Sequence, residues 1–82
     1  MKENMTKYEE TLDVDGKFQI PAVLFYNDSE WEINYYFEPV KLDVVVTGTI
    51  TDGKLAIVTD NSGYCAPMLP VFQGMYENAL KA

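Results

Sequence analysis

Apolar and polar residues alternate with a period of two through the first sixty positions, and the period lengthens toward 3.6 after position 70. Four turn signals divide the first part into strands at about 6–13, 17–26, 30–38, 41–51 and 54–59. The third strand places Trp31, Ile33, Tyr35 and Phe37 on one side and Glu30, Glu32, Asn34, Tyr36 and Glu38 on the other. The fourth turns Leu42, Val44, Val46 and Ile50 inward and Lys41, Asp43, Thr47, Thr49 and Thr51 outward. Gly48 falls on the inward face, where a glycine marks a close approach or a bend. Val71, Phe72, Met75, Tyr76, Ala79 and Leu80 recur at helical spacing, with Pro70 suited to the first helical position.

The turn chemistry sets the expected registers. At Asp15-Gly16 a two-residue turn would set Leu12 against Gln19, apolar against polar. A three-residue loop, Val14-Asp15-Gly16, pairs Asp13 with Lys17, Leu12 with Phe18 and Tyr8 with Ala22, and requires a left-handed Gly16. Asn27-Asp28-Ser29 is a loop of turn formers, and Glu38-Pro39 interrupts the ladder. Asp52-Gly53 suits a two-residue type I′ turn with Ile50 facing Leu55. Short connections make neighbours of successive strands. The expected fold is α+β: a five-stranded antiparallel meander, with a half-barrel as its curled form, and one C-terminal helix packed on it. Residues 1–82 form a single domain, with strands over about 6–59, a loop at 60–69 and the helix at about 70–81.

Composition then removes chemistry. The 82 residues carry thirteen acids and six lysines, with no arginine and no histidine, for a net charge of -7. That balance argues against direct nucleic-acid binding and against anionic membranes. Without histidine the usual base near neutral pH is missing, and so are the ring-nitrogen ligands of most transition-metal sites. Cys65 is alone, so it forms neither an intrachain disulfide nor a cysteine zinc site; a reducing, cytoplasmic location fits that usage. No lysine lies within ten residues of it to draw out a thiolate, so packing is its better role. Asp13-Val14-Asp15-Gly16-Lys17-Phe18 resembles the middle of an EF-hand loop, but Thr11 and Ala22 stand where the two end ligands belong. A hairpin turn is the expectation there, and no metal or other cofactor is assigned. Glu30 and Glu32 are spaced as a carboxylate pair on one strand face, but a chain this short has little room for a catalytic cleft.

The charge is unevenly spread. Residues 1–43 hold ten acids and four lysines, residues 44–82 only three acids and two lysines. Glu9, Asp13, Glu30, Glu32, Glu38 and Asp43 fall on the outward side, interleaved with Val23, Phe25, Tyr36 and Val45. The second strand is apolar on both faces for most of its length, which suits a strand lying beneath a second layer or a partner. The expectation is a small acidic, non-enzymatic binding protein. Glu9, Asp13, Glu30, Glu32, Glu38 and Asp43, with Phe25 and Tyr36 as anchors, would dock in the basic groove of a larger protein, in the sharpest form the nucleic-acid-binding groove of an enzyme. In charge, size and lack of catalytic residues the chain is similar in type, without a shared motif, to phage- or plasmid-encoded inhibitors that mimic nucleic acid. The alternative is a structural or self-assembling module, such as a virion or scaffold subunit, in which the second strand packs on its own copy as a homodimer.

Overall fold

The computed structural model describes residues 4–14 and 16–82. Among these, five strands follow one another as β1 (Thr6–Val14), β2 (Phe18–Tyr26), β3 (Glu30–Phe37), β4 (Leu42–Thr51) and β5 (Lys54–Asp60), and the helix α1 (Leu69–Lys81) closes the chain. The sheet order is β1-β2-β3-β4-β5 and every neighbouring pair is antiparallel. The fold is therefore an α+β meander with one helix packed on the sheet, and the sheet does not close into a barrel.

The inward face is the one the alternation marks. Leu12, Ala22, Leu24, Trp31, Ile33, Val44, Val46, Ile50 and Leu55 are buried on it. From α1, Phe72, Met75, Tyr76 and Ala79 complete the core. Phe72 lies 5.9 Å from the Trp31 ring and 6.4 Å from the Tyr35 ring, and Tyr76 meets Tyr26 edge-on at 5.5 Å. Rings in such tilted and edge-on arrangements set the electropositive edge of one against the π face of the other. Leu80, placed in the apolar stripe by spacing, is 56% exposed. Gln73 on the opposite side accepts the Leu55 N–H at 2.9 Å and donates to the Gly53 carbonyl at 2.8 Å, fixing the helix to the start of β5.

The first hairpin departs from its expected register. Val14 pairs with Phe18, Leu12 with Ile20 and Tyr8 with Leu24, so the ladder is offset by two residues from the expected pairing of Leu12 with Phe18. Val14 is thereby in β1 rather than in the loop, and its carbonyl accepts the Lys17 N–H at 3.0 Å. Leu12 gains Ile20, a buried aliphatic partner, in place of Phe18, which sits 38% exposed at the end of the sheet against Phe37. Because side chains alternate with period two, a shift of two keeps every residue on its expected face. Gly16 is left-handed, at φ 66°; Asp15, the other half of the expected turn, lies outside the described residues.

The other joints follow local chemistry. Asn27 accepts the N–H groups of Ser29 and Glu30 on its side-chain oxygen, an Asx turn. Glu38-Pro39-Val40 forms a single 3-10 turn after β3. Asp52 and Gly53 both have positive φ, 53° and 78°, as a type I′ turn demands, and Ile50 faces Leu55. The helix begins one residue earlier than its proline suggested: Ala66–Met68 forms a 3-10 turn that runs directly into Leu69, so Pro70 is the second helical residue. That position still lies within the first turn, where a missing N–H costs nothing.

Candidate functional site

The face of the sheet opposite α1 carries most of the candidate binding residues, ordered in rows by register. Glu9, Val23, Asn34 and Val45 form one row across four strands. Lys7, Phe25, Glu32 and Thr47 form the next. Tyr36 stands beside Asp43, and Glu30 beside Thr49. Val23 and Phe25 are half-buried by their neighbours, while Tyr36 and Val45 are exposed at 47% and 37%. The result is a mixed face: Val23 and Phe25 on β2, Tyr36 on β3 and Val45 on β4 are apolar, the polar pair Asn34 and Glu32 of β3 lies between β2 and β4, and further carboxylates stand toward the ends.

Polar contacts fix part of this face. Lys7 pairs with Glu9 at 3.3 Å, a contact of two well-exposed groups and so of little energetic weight. The Asn34 amide donates to Glu32 at 2.9 Å and orients that carboxylate on the sheet surface. The sheet does not gather all the candidates equally. Asp13 pairs with Gln19 near the first hairpin. Glu38 sits in the 3-10 turn beyond β3 rather than on a strand. Glu30 and Tyr36 are separated by most of β3, about 20 Å at the strand rise of ~3.3 Å per residue. The acidic surface is thus a band running the length of β3 rather than a point.

Pro21 shapes this face, a role absent from the expectations. It pairs with Thr11 on β1, but the β2–β3 ladder begins only at Ala22–Tyr35. A proline has no N–H to donate, so the ladder cannot be bonded through this residue's nitrogen and stops beside it. The two strands part there, and a shallow groove of about 300 Å³ opens between them, with Pro21, Tyr36 and Glu38 among its lining. A proline inside an otherwise apolar strand was the available signal.

A second set of polar groups lies where β5 leaves the sheet. Asp60 accepts the Ser62 N–H at 2.9 Å, the Ser62 hydroxyl at 2.7 Å and the Cys65 N–H at 2.7 Å. Partial burial pushes the Asp60 carboxyl up, but these hydrogen bonds outweigh it and hold the group down at about 2. The Cys65 thiol is buried, and burial raises it above the ordinary thiol value against the opposing contacts of Ser62 and Tyr35. A thiol in that state is a poor nucleophile. This knot ties the loop to the sheet. Among the described residues, no three acids or cysteines converge as metal ligands, and no helix is long and apolar enough to cross a membrane.

Comparison with family models, with curated proteins and with solved structures gives no match to this chain.

Proposed function

We propose that this is a small non-enzymatic binding protein whose outward sheet face docks into a basic groove of a larger protein. The observation that carries the proposal is the interleaving on one sheet face of the apolar residues Val23, Phe25, Tyr36 and Val45 with the carboxylates Glu9, Glu30, Glu32 and Asp43. An interface built this way uses its desolvated aromatic and aliphatic groups for affinity and its charged groups for steering and register. A band of carboxylates about 20 Å long on a sheet has the reach of several nucleic-acid phosphates, which follow one another at about 3.4 Å of helix axis along one strand of a duplex. A nucleic-acid-binding groove is therefore the partner surface it suits, and occupation of that groove would inhibit the partner. The same carboxylates oppose packing on an identical copy, since a twofold contact would set carboxylate against carboxylate.

The test is capture from cell lysate on the immobilised protein and on the double variant Glu30→Lys/Glu32→Lys, at about 50 mM and about 200 mM salt. The expected partner binds at low salt, is displaced by duplex DNA or RNA and by added salt, and is lost with the charge-reversed variant. Capture that is unchanged by salt, by nucleic acid and by charge reversal would overturn the proposal.

A further inference from the structure

On the helix side of the sheet, away from the acidic band, a cleft of about 450 Å³ opens between the sheet and the segment leading into α1. Ile20, Phe37 and Val44 form its sheet wall, and Met68 and Val71 its helical wall. The volume falls inside the roughly 300–1,000 Å³ range of small-molecule sites. At its mouth stand Val40 and Tyr64, 54% and 74% exposed, large apolar groups left open to water.

The polar groups at this cleft are few and neutral. Among the described residues, no lysine, aspartate or glutamate lines it. Ser62 contributes a hydroxyl, but that hydroxyl already donates to Asp60 at 2.7 Å and accepts the Tyr64 N–H at 3.1 Å. The Tyr35 hydroxyl meets the Cys65 sulfur at 3.5 Å, a soft and weak partner. It can therefore turn its proton to a better acceptor. Burial, and then the contact with Cys65, raise the Tyr35 phenol above its ordinary value, so it remains a protonated donor.

We propose that this cleft binds an uncharged, apolar small molecule carrying one hydrogen-bond acceptor, with that acceptor placed at the Tyr35 hydroxyl. The absence of charge among the described lining residues selects against ions of either sign, because an ion entering the cleft would lose its hydration without gaining a counter-charge from them. The net charge of -7 adds a further penalty for anions. An alcohol or ketone on an alkyl or aryl body satisfies both conditions, and a carboxylate of the same chain length fails both.

Titration of the full chain with the neutral fluorophore 1-aminoanthracene, followed by competition with decanol and with decanoate, tests the proposal. Saturable one-to-one binding is expected, with decanol displacing the probe at least about tenfold better than decanoate. Val71→Trp, which fills the cleft from the helix, should abolish binding, and Tyr35→Phe should weaken decanol by about threefold or more. Should Val71→Trp unfold, methyl chemical shifts of the unaltered protein decide instead. Decanol should move Ile20, Val44 and Val71 and leave Val23 and Val45 in place. The proposal is overturned by an absence of saturable binding, by decanoate matching decanol, by a folded Val71→Trp that binds as well as the parent, or by shifts that map to Val23 and Val45.

Discussion

Trp31 occupies the space that a side chain at Gly48 would need. The two residues pair across β3 and β4, and a Cβ added to Gly48 would fall 2.7 Å from the indole nitrogen and 1.7 Å from the Ala56 carbonyl oxygen. The indole N–H reaches over the glycine to the carbonyls of Thr49 and Ala56, at 3.1 and 3.2 Å. At the same place the β4–β5 register steps from Thr47–Thr59 to Gly48–Ile57, and the extra residue, Val58, is thrown out to 65% exposure.

Gly48→Ala should therefore be among the most damaging single-methyl changes in the chain. A collision with backbone cannot be relieved by a rotamer, and a loss of about 3 kcal/mol or more is expected. Urea unfolding monitored by Trp31 fluorescence measures it. A loss below about 1 kcal/mol would show that β5 yields easily at the bulge.

Gly74 is the opposite case. It lies within α1, and a Cβ there meets nothing within 4 Å. Gly74→Ala should stabilise the protein by about 0.5–1 kcal/mol, through helix propensity and a less free unfolded chain. Thermal denaturation should show a rise of several degrees, about 4–8 °C per kcal/mol for a domain this small.

Asp60 should govern the acid limb of stability. Its carboxyl is held at about 2 in the folded chain, below the ordinary 3.8. The unfolded chain therefore takes up this proton first, and acid favours unfolding. The contribution is fully present above about pH 4 and disappears as pH falls toward 2. Asp60→Asn should flatten the stability profile between those values and cost about 0.5–1.5 kcal/mol at neutral pH, since solvent screens this carboxylate and the amide oxygen can still accept some of its hydrogen bonds. Denaturant midpoints collected from pH 7 down to pH 2 check both parts.

Asn61 continues the β4–β5 ladder with its side chain after β5 has ended. Its amide oxygen accepts the Val45 N–H and its amide nitrogen donates to the Asp43 carbonyl, each at 2.9 Å. Asn61→Ala should cost about 1–2 kcal/mol. It should also speed hydrogen exchange at the Val45 amide well beyond the change at Val46. Equal acceleration at both would mean that the loss is global rather than local.

The faces of the sheet were legible because alternation is a local pattern. Trp31, Ile33, Val44 and Val46 needed only their own strands to declare a side. The Asp52-Gly53 turn was legible for the same reason, since two positive-φ positions in a row have few solutions. The first hairpin was misplaced by two residues because both registers bury Leu12 and keep Ile20 inward, and alternation is blind to even shifts. The interactions of Asn61 and Asp60 were hidden because they join side chains to backbone across loops, a geometry that periodicity does not encode. Of the candidate site, the outward direction of Glu9, Glu32 and Asp43 was readable. The extent of the band and the parting of β2 from β3 at Pro21 emerged only with the registers.

Gln73 does more than fasten the helix. By holding the Leu55 N–H and the Gly53 carbonyl, it removes bonding groups that an incoming strand would use to lengthen the sheet at β5. The bulge at Val58 breaks the straight run a few residues later. On β1, Glu10 sits at an inward position, bound by Tyr8 and Asn78, where an added apolar strand would meet a carboxylate. An open five-stranded sheet is a natural template for fibril growth, and this one is defended on both flanks. Strand addition at the edges is thereby opposed, and any contact with another molecule falls to the broad surfaces, where side chains rather than backbone meet it.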